Sequence, residues 1–137
     1  MKNHILLAAA LCMITFASCK KMISKQVHNY IVNLVTNGHW YLEEFIENGN
    51  NKTAEFAIYE FQFYENGRVD AIKVNATESG TWSGDIDTKT ITVNFPLAAD
   101  PLKKVNTAWK IRDSYVDVVM AESNSAGGLS TMRLRKK

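Results

Sequence analysis

Disulfide chemistry is closed to this 137-residue chain, because Cys12 lies inside an apolar N-terminal run and Cys19 is then left alone. A lone cysteine staples nothing, so stability must come from a packed core. Charge of one sign is also scarce. Sixteen Lys and Arg against fourteen Asp and Glu give a formal net charge of +2, which argues against a polyanion-binding surface and so against nucleic acid as a partner. The apolar run from Ile5 to Phe16 is too short to span a bilayer as a helix. No Gly-x-Ser-x-Gly, phosphate-binding loop or dinucleotide fingerprint occurs. His28 and His39 have no cysteine or carboxylate at metal-ligand spacing, and Glu43 and Glu44, adjacent on a strand, point to opposite faces rather than forming an acid/base pair. The expectation is a protein without enzymatic activity, metal or cofactor.

The N-terminus carries Lys2, the apolar run, and then Phe16-Ala17-Ser18-Cys19, with small residues at the two positions before the cysteine. This resembles the bacterial lipoprotein signal, in which the peptide is cut before the cysteine and its thiol and amine are acylated, palmitate being one such acyl chain. The chain then divides into a signal peptide at 1–18, a lipidated linker at 19–25 and a folded domain at 26–137. An ordinary signal peptide, cleaved after Ser18 and leaving Cys19 as a free thiol, is the alternative. Several acyl chains, at roughly 0.8 kcal/mol per buried methylene, make a stable anchor where a single chain is marginal. The resemblance implies the bacterial cell envelope, anchored in the outer membrane through Cys19. Lys20, Lys21 and Lys25 sit beside the anchor, where they either meet anionic headgroups or form a solvated linker.

From Val27 the apolar positions Val27, Tyr30, Ile31, Leu34 and Val35 follow the stripe of an amphipathic helix. Ser24 can cap its start and Asn37-Gly38 can end it. After Gly38 the period becomes two, and about eight strands follow: 39–46, 57–64, 68–74, 80–86, 90–95, 107–112, 115–121 and 129–135. Tyr59/Phe61/Phe63, Ile91/Val93/Phe95 and Val116/Val118/Met120 each mark an expected buried face.

The connections alternate in length. Glu65-Asn66-Gly67, Asp87-Thr88-Lys89 and Asp113-Ser114 are tight turns, and between them lie longer links at 47–56, 75–79, 96–106 and 122–128. In an up-and-down meander every second turn falls at the same end, so one end is trimmed and the other elaborated. So many twisted strands close into a barrel rather than leave two open edges. The expected fold is all-β: an up-and-down antiparallel barrel of about eight strands, preceded by one α-helix whose apolar stripe plugs the tight-turn end.

Gly38-His39-Trp40-Tyr41, the helix before it, the meander and an arginine on the last strand together resemble the lipocalin family and its calycin relatives. Ser79-Gly80-Thr81-Trp82-Ser83 and the lipoprotein signal bring it closer to lipocalin-like domains of bacterial lipoproteins. The resemblance implies that Gly38 ends the helix, that Trp40 closes the barrel floor, and that Arg133 and Arg135 pack across its indole. It departs from the family at Asp113-Ser114-Tyr115, where a Thr-Asp-Tyr motif is common, and in lacking a second mature cysteine.

Two function classes follow. In one, Trp82, Phe95 and Trp109 line an open mouth at the long-loop end that takes up a small apolar or amphipathic ligand, and Lys103 and Lys104 either meet its head or are merely solvated. In the other, a filled barrel presents its loops to an envelope protein. Internal volume separates the two: a void of a few hundred Å³ favours the first, a filled core the second. Replacing Cys19 by alanine is expected to move the protein to the soluble fraction and abolish fatty-acid labelling; unchanged membrane fractionation would exclude the anchor.

Overall fold

The computed structural model describes residues 25–125 and 127–137; the expected signal peptide, Cys19 and the expected Ser24 cap lie outside them. Helix α1 occupies 25–36. Strands follow at Trp40–Glu47 (β1), Asn50–Asn51 (β2), Glu60–Phe63 (β3), Arg68–Lys73 (β4), Ala76–Asp85 (β5), Thr90–Asn94 (β6), Ala108–Ser114 (β7), Val118–Ser125 (β8) and Gly128–Lys136 (β9). Each strand from β3 to β9 pairs antiparallel with the next, and β1 pairs with both β9 and β3. The result is a closed eight-stranded antiparallel barrel preceded by one helix, with β2 as a short hairpin on β1.

Alternation fills the interior. Leu42, Phe45, Phe61, Phe63, Val69, Ala71, Ile91, Val93, Trp109, Val119, Ala121, Met132 and Leu134 are all buried. On β8 Val118 is buried as expected, but so are Val119 and Ala121, which pair with inward Leu134 and Met132, while Met120 is only half-buried, so the interior face is one residue out of the expected phase. Val116 is 66% exposed in the turn before the strand. Four successive apolar residues, Val118 to Ala121, let either phase look buried from sequence. A bulge between Leu42 and Glu44 breaks the alternation of β1, so the inward residues step from Leu42 to Phe45 and Glu43 is held on the outside.

The tight-turn end is sealed at Trp40. Gly38, at φ 97°, supplies the left-handed residue after the helix, and Trp40 follows with 1% exposure. Its indole N–H donates to the Val35 carbonyl at 2.9 Å. Lys136, opposite Trp40 across the barrel closure, donates to the Leu34 carbonyl at 3.0 Å and holds its ammonium 5.0 Å from the indole centroid. Two helix-terminal carbonyls are thereby satisfied.

This corrects two expectations. The residue over Trp40 is Lys136, not Arg133 or Arg135, because period two puts Met132, Leu134 and Lys136 on one face and the two arginines on the other. Arg135 instead makes a bidentate pair with Glu43, at 2.7 and 3.1 Å, and reaches Asp117 at 3.2 Å, with Arg133 3.8 Å from Glu43. Nor does the helix bury its whole stripe: Val35 is buried, but Val27 is 42% and Tyr30 62% exposed. Trp40→Ala is expected to cost ~3–5 kcal/mol and Lys136→Met about 0.5–2 kcal/mol, measured by denaturant unfolding. A Trp40→Ala midpoint equal to that of a surface variant would contradict the seal.

Candidate functional site at the long-loop end

Two of the four links expected to be long are shortened by strand pairing. β4 and β5 meet at Lys73↔Ala76, leaving a two-residue turn, and the β8–β9 ladder runs on to Ser125↔Gly128. Ala76 to Ser79 and Ser123 to Ser125 are small or polar and read as loop, yet their backbones extend the ladders. The elaboration therefore rests on two connections, 48–59 and 95–107.

The first opens with Asn48 and Gly49, at φ 51° and 79°, the pair of left-handed residues that a two-residue hairpin needs. β2 follows, then a 3-10 turn at Thr53–Phe56. Asn51 accepts from the Thr53 N–H at 2.9 Å, and the Thr53 hydroxyl accepts from the Phe45 N–H at 2.9 Å. That clamp delivers Phe56, 1% exposed, onto Phe45 with ring centroids 4.7 Å apart.

In the second connection, the Asn106 side chain brackets Phe95, accepting from its N–H at 2.7 Å and donating to its carbonyl at 2.9 Å. A 3-10 turn at Leu102–Val105 then buries Leu102 and Val105. The Trp109 indole N–H donates to the Val105 carbonyl at 3.0 Å. Gly80 makes room for Phe95: a Cβ there would stand 2.3 Å from the Asn94 carbonyl oxygen and 2.8 Å from the Phe95 ring.

Lys104 joins the two connections. Its ammonium lies 3.1 Å from Glu47 and 3.1 Å from Glu55, with a side chain only 17% exposed. The hydrogen bond from Lys104 lowers the Glu55 pKa, helped by Lys52, and the bond to Glu55 raises that of Lys104. Lys104 is therefore not solvated, as the sequence allowed, but spent inside the protein; Lys103 is exposed.

Of the residues expected to line a mouth, Phe95 is 1% and Trp109 0% exposed. Trp82 stands at the opposite end, its indole donating to the Tyr64 carbonyl of a tight turn at 2.8 Å and its ring edge-on to Phe63. β5 begins at Ala76, so Trp82 is seven positions along its strand rather than near the loop end. The three do not share one pocket. Among the described residues, two apolar cavities open between core side chains, one lined by residues including Trp40, Phe63 and Val119, the other by Leu42, Phe61 and Val105, each about 20 Å³. That is the room of a single water, in a lining that offers it no polar partner.

Outside, the same end is apolar. Ile58 is 62%, Leu129 51%, and Val74 and Leu97 each 95% exposed. A search for a mouth missed them: Leu97 was readable as an aliphatic residue within a link, whereas Ile58, Val74 and Leu129 were placed in expected strands.

No family model matches this chain, and no curated protein does. Among solved structures it resembles a DUF4847 family protein from Bacteroides vulgatus, with a TM-score of 0.57 at 15% identity over 78% of this chain and 97% of that one. An uncharacterized protein from Bacteroides eggerthii aligns with a TM-score of 0.51 at 14% identity, over 73% of this chain and 98% of the other. At such identities the likeness is one of fold.

The Glu55 shift fixes the sign of a pH effect. A carboxylate whose pKa is lowered by folding adds stability above its ordinary range, and that stability is lost as pH falls through the lowered value. The raised Lys104 works in the opposite sense and is lost only as pH rises above the ordinary lysine range. Thermal unfolding is expected to weaken in acid, and less steeply in Glu55→Gln. Lys104→Met, leaving Glu47 and Glu55 facing each other, is expected to lower Tm by a few degrees at neutral pH; an unchanged Tm would show that the link is idle.

Proposed function

We propose that this chain is a non-enzymatic protein-interaction or envelope-assembly module: a lipocalin-like barrel, held to the bacterial envelope by lipid on Cys19, that offers its long-loop end to another envelope protein. The observation that carries this reading is the contrast between inside and outside at that end. Within, Phe95 and Trp109 are buried along with Phe56, Leu102 and Val105, and the two cavities seen among the described residues, about 20 Å³ each, fall an order of magnitude short of a small-molecule site. Outside, Val74 and Leu97 stand almost fully in water. Exposing large aliphatic side chains on successive connections costs solubility, and a partner that covers them offsets the cost.

A photo-crosslinking residue at Leu97 or Val74, introduced in cells, is expected to give one discrete adduct. Asp at the other of the two positions should abolish it without moving Tm, since neither side chain contributes to the core. Absence of any adduct would defeat this reading. A small molecule retained through native mass spectrometry and released by organic extraction would favour the ligand-binding reading instead.

A further inference from the structure

Three Asn-Gly pairs occur, at 37–38, 48–49 and 66–67, and sequence ranks them alike. Asparagine before glycine is open to a spontaneous reaction, because a residue without a Cβ lets its main-chain nitrogen swing onto the preceding side-chain amide. The fold holds the two reacting groups differently in each pair. At Asn66 both are tied: its side-chain oxygen accepts from the Arg68 N–H at 3.0 Å, and the Gly67 N–H donates to the Tyr64 carbonyl at 3.0 Å. At Asn48 one is tied, the side-chain amide donating to the Gly127 carbonyl at 2.7 Å. Asn37 and Gly38 are both exposed, and among the described residues neither the Asn37 side chain nor the Gly38 N–H has a hydrogen-bond partner. The cause lies in the seal. A glycine that follows a helix ordinarily donates its N–H to a carbonyl three or four residues back, here Val35 or Leu34, and those accept instead from the Trp40 indole and the Lys136 ammonium.

We infer that Asn37-Gly38 is a site of spontaneous deamidation whose product loosens the barrel floor. The Gly38 nitrogen, having lost its proton to hydroxide, bonds to the Asn37 side-chain carbon; the bond from that carbon to the amide nitrogen breaks, and the nitrogen leaves as ammonia after taking a proton from water. Water then opens the five-membered succinimide to aspartate or isoaspartate, and nothing is oxidised or reduced. Either product disturbs what surrounds it. Both place a carboxylate at the negative end of α1. Isoaspartate also routes the main chain through the former side chain, adding one methylene between the Leu34 and Val35 carbonyls and Trp40, which two hydrogen bonds hold in register.

The purified, folded chain is aged in warm, mildly alkaline buffer and its products are mapped by mass spectrometry after cleavage at glutamate. Glu43, Glu44 and Glu47 lie between Asn37 and Asn48, and Glu55, Glu60 and Glu65 between Asn48 and Asn66, so each asparagine falls in its own peptide. Asn37 is expected to convert first. Each hydrogen bond that must break slows the reaction by roughly fivefold, so Asn48 should lag by about that factor and Asn66 by roughly twentyfold. In denaturant, where those bonds are gone, the three rates should converge. Asn48 or Asn66 converting as fast as Asn37 in the folded chain overturns the inference, and so does a lag that persists in denaturant, which would trace the order to local sequence. The aged protein should also unfold at a lower midpoint than the fresh one. Asn37→Gln, whose longer side chain would have to close a six-membered ring, should keep its midpoint on ageing. Conversion at Asn37 with an unmoved midpoint, or an equal loss in Asn37→Gln, refutes the effect on the floor.

Discussion

Trp40 is where three demands meet. The helix must end with its last carbonyls satisfied, the barrel must close between its first and last strands, and the tight-turn end must exclude water. One indole serves all three: its N–H takes the Val35 carbonyl, its place in β1 is bridged to Phe61 on one side and Lys136 on the other, and its ring fills the floor. The register of β9 depends on that bridge. Sliding β9 by one residue would exchange Lys136 for an arginine, turn Met132 and Leu134 outward, and break the bidentate Arg135–Glu43 pair. The bulge beside Glu43 belongs to the same arrangement, since it lets Phe45 face inward while Glu43 stays outside to meet Arg135.

At the other end the connections, rather than the strands, complete the core. Each carries a 3-10 turn whose apolar residues point inward, Phe56 from one and Leu102 with Val105 from the other, and each is fixed by a side-chain amide or hydroxyl that substitutes for a missing ladder bond. Lys104 then ties the two turns together through Glu47 and Glu55. Loops that pack in this way are long because they do the work of a cap. Their length therefore says less about ligand capture than it does for loops standing free in solvent.

The barrel was legible because period two survives on most strands, and because Asn66-Gly67 and Gly38 announce themselves chemically. What was not legible follows from specific residues. The two-residue turn at 74–75 was hidden because both faces of the rim strand are wet, so no alternation marks Ala76 to Ser79. The phase of β8 was ambiguous because apolar residues occupy both of its faces. Lys136 was overlooked beside two arginines, although the alternation from Leu134 already placed it inside. Trp82 was assigned to the wrong end through the late start given to β5, an error of four residues that carries a side chain more than ten Å along a strand. The short strands left a filled interior open as one of two readings, but how two distant connections fold back over the strands to complete it was not legible in sequence.

A barrel completed by its own loops has little freedom left inside. Each interior position is held by ladder bonds, by ring contacts such as Phe45 with Phe56 and Trp109, or by an indole bonded to a carbonyl, and opening space for a ligand would break several of these together. Variation that preserves the fold is thus confined to residues that the core does not use. Those include the turn tips at Ile58, Val74, Leu97, Tyr115 and Val116 and the first turns of α1, where apolar side chains are exposed. The partner proposed for this chain would therefore be met at its surface, by contacts that leave the packed interior as it is.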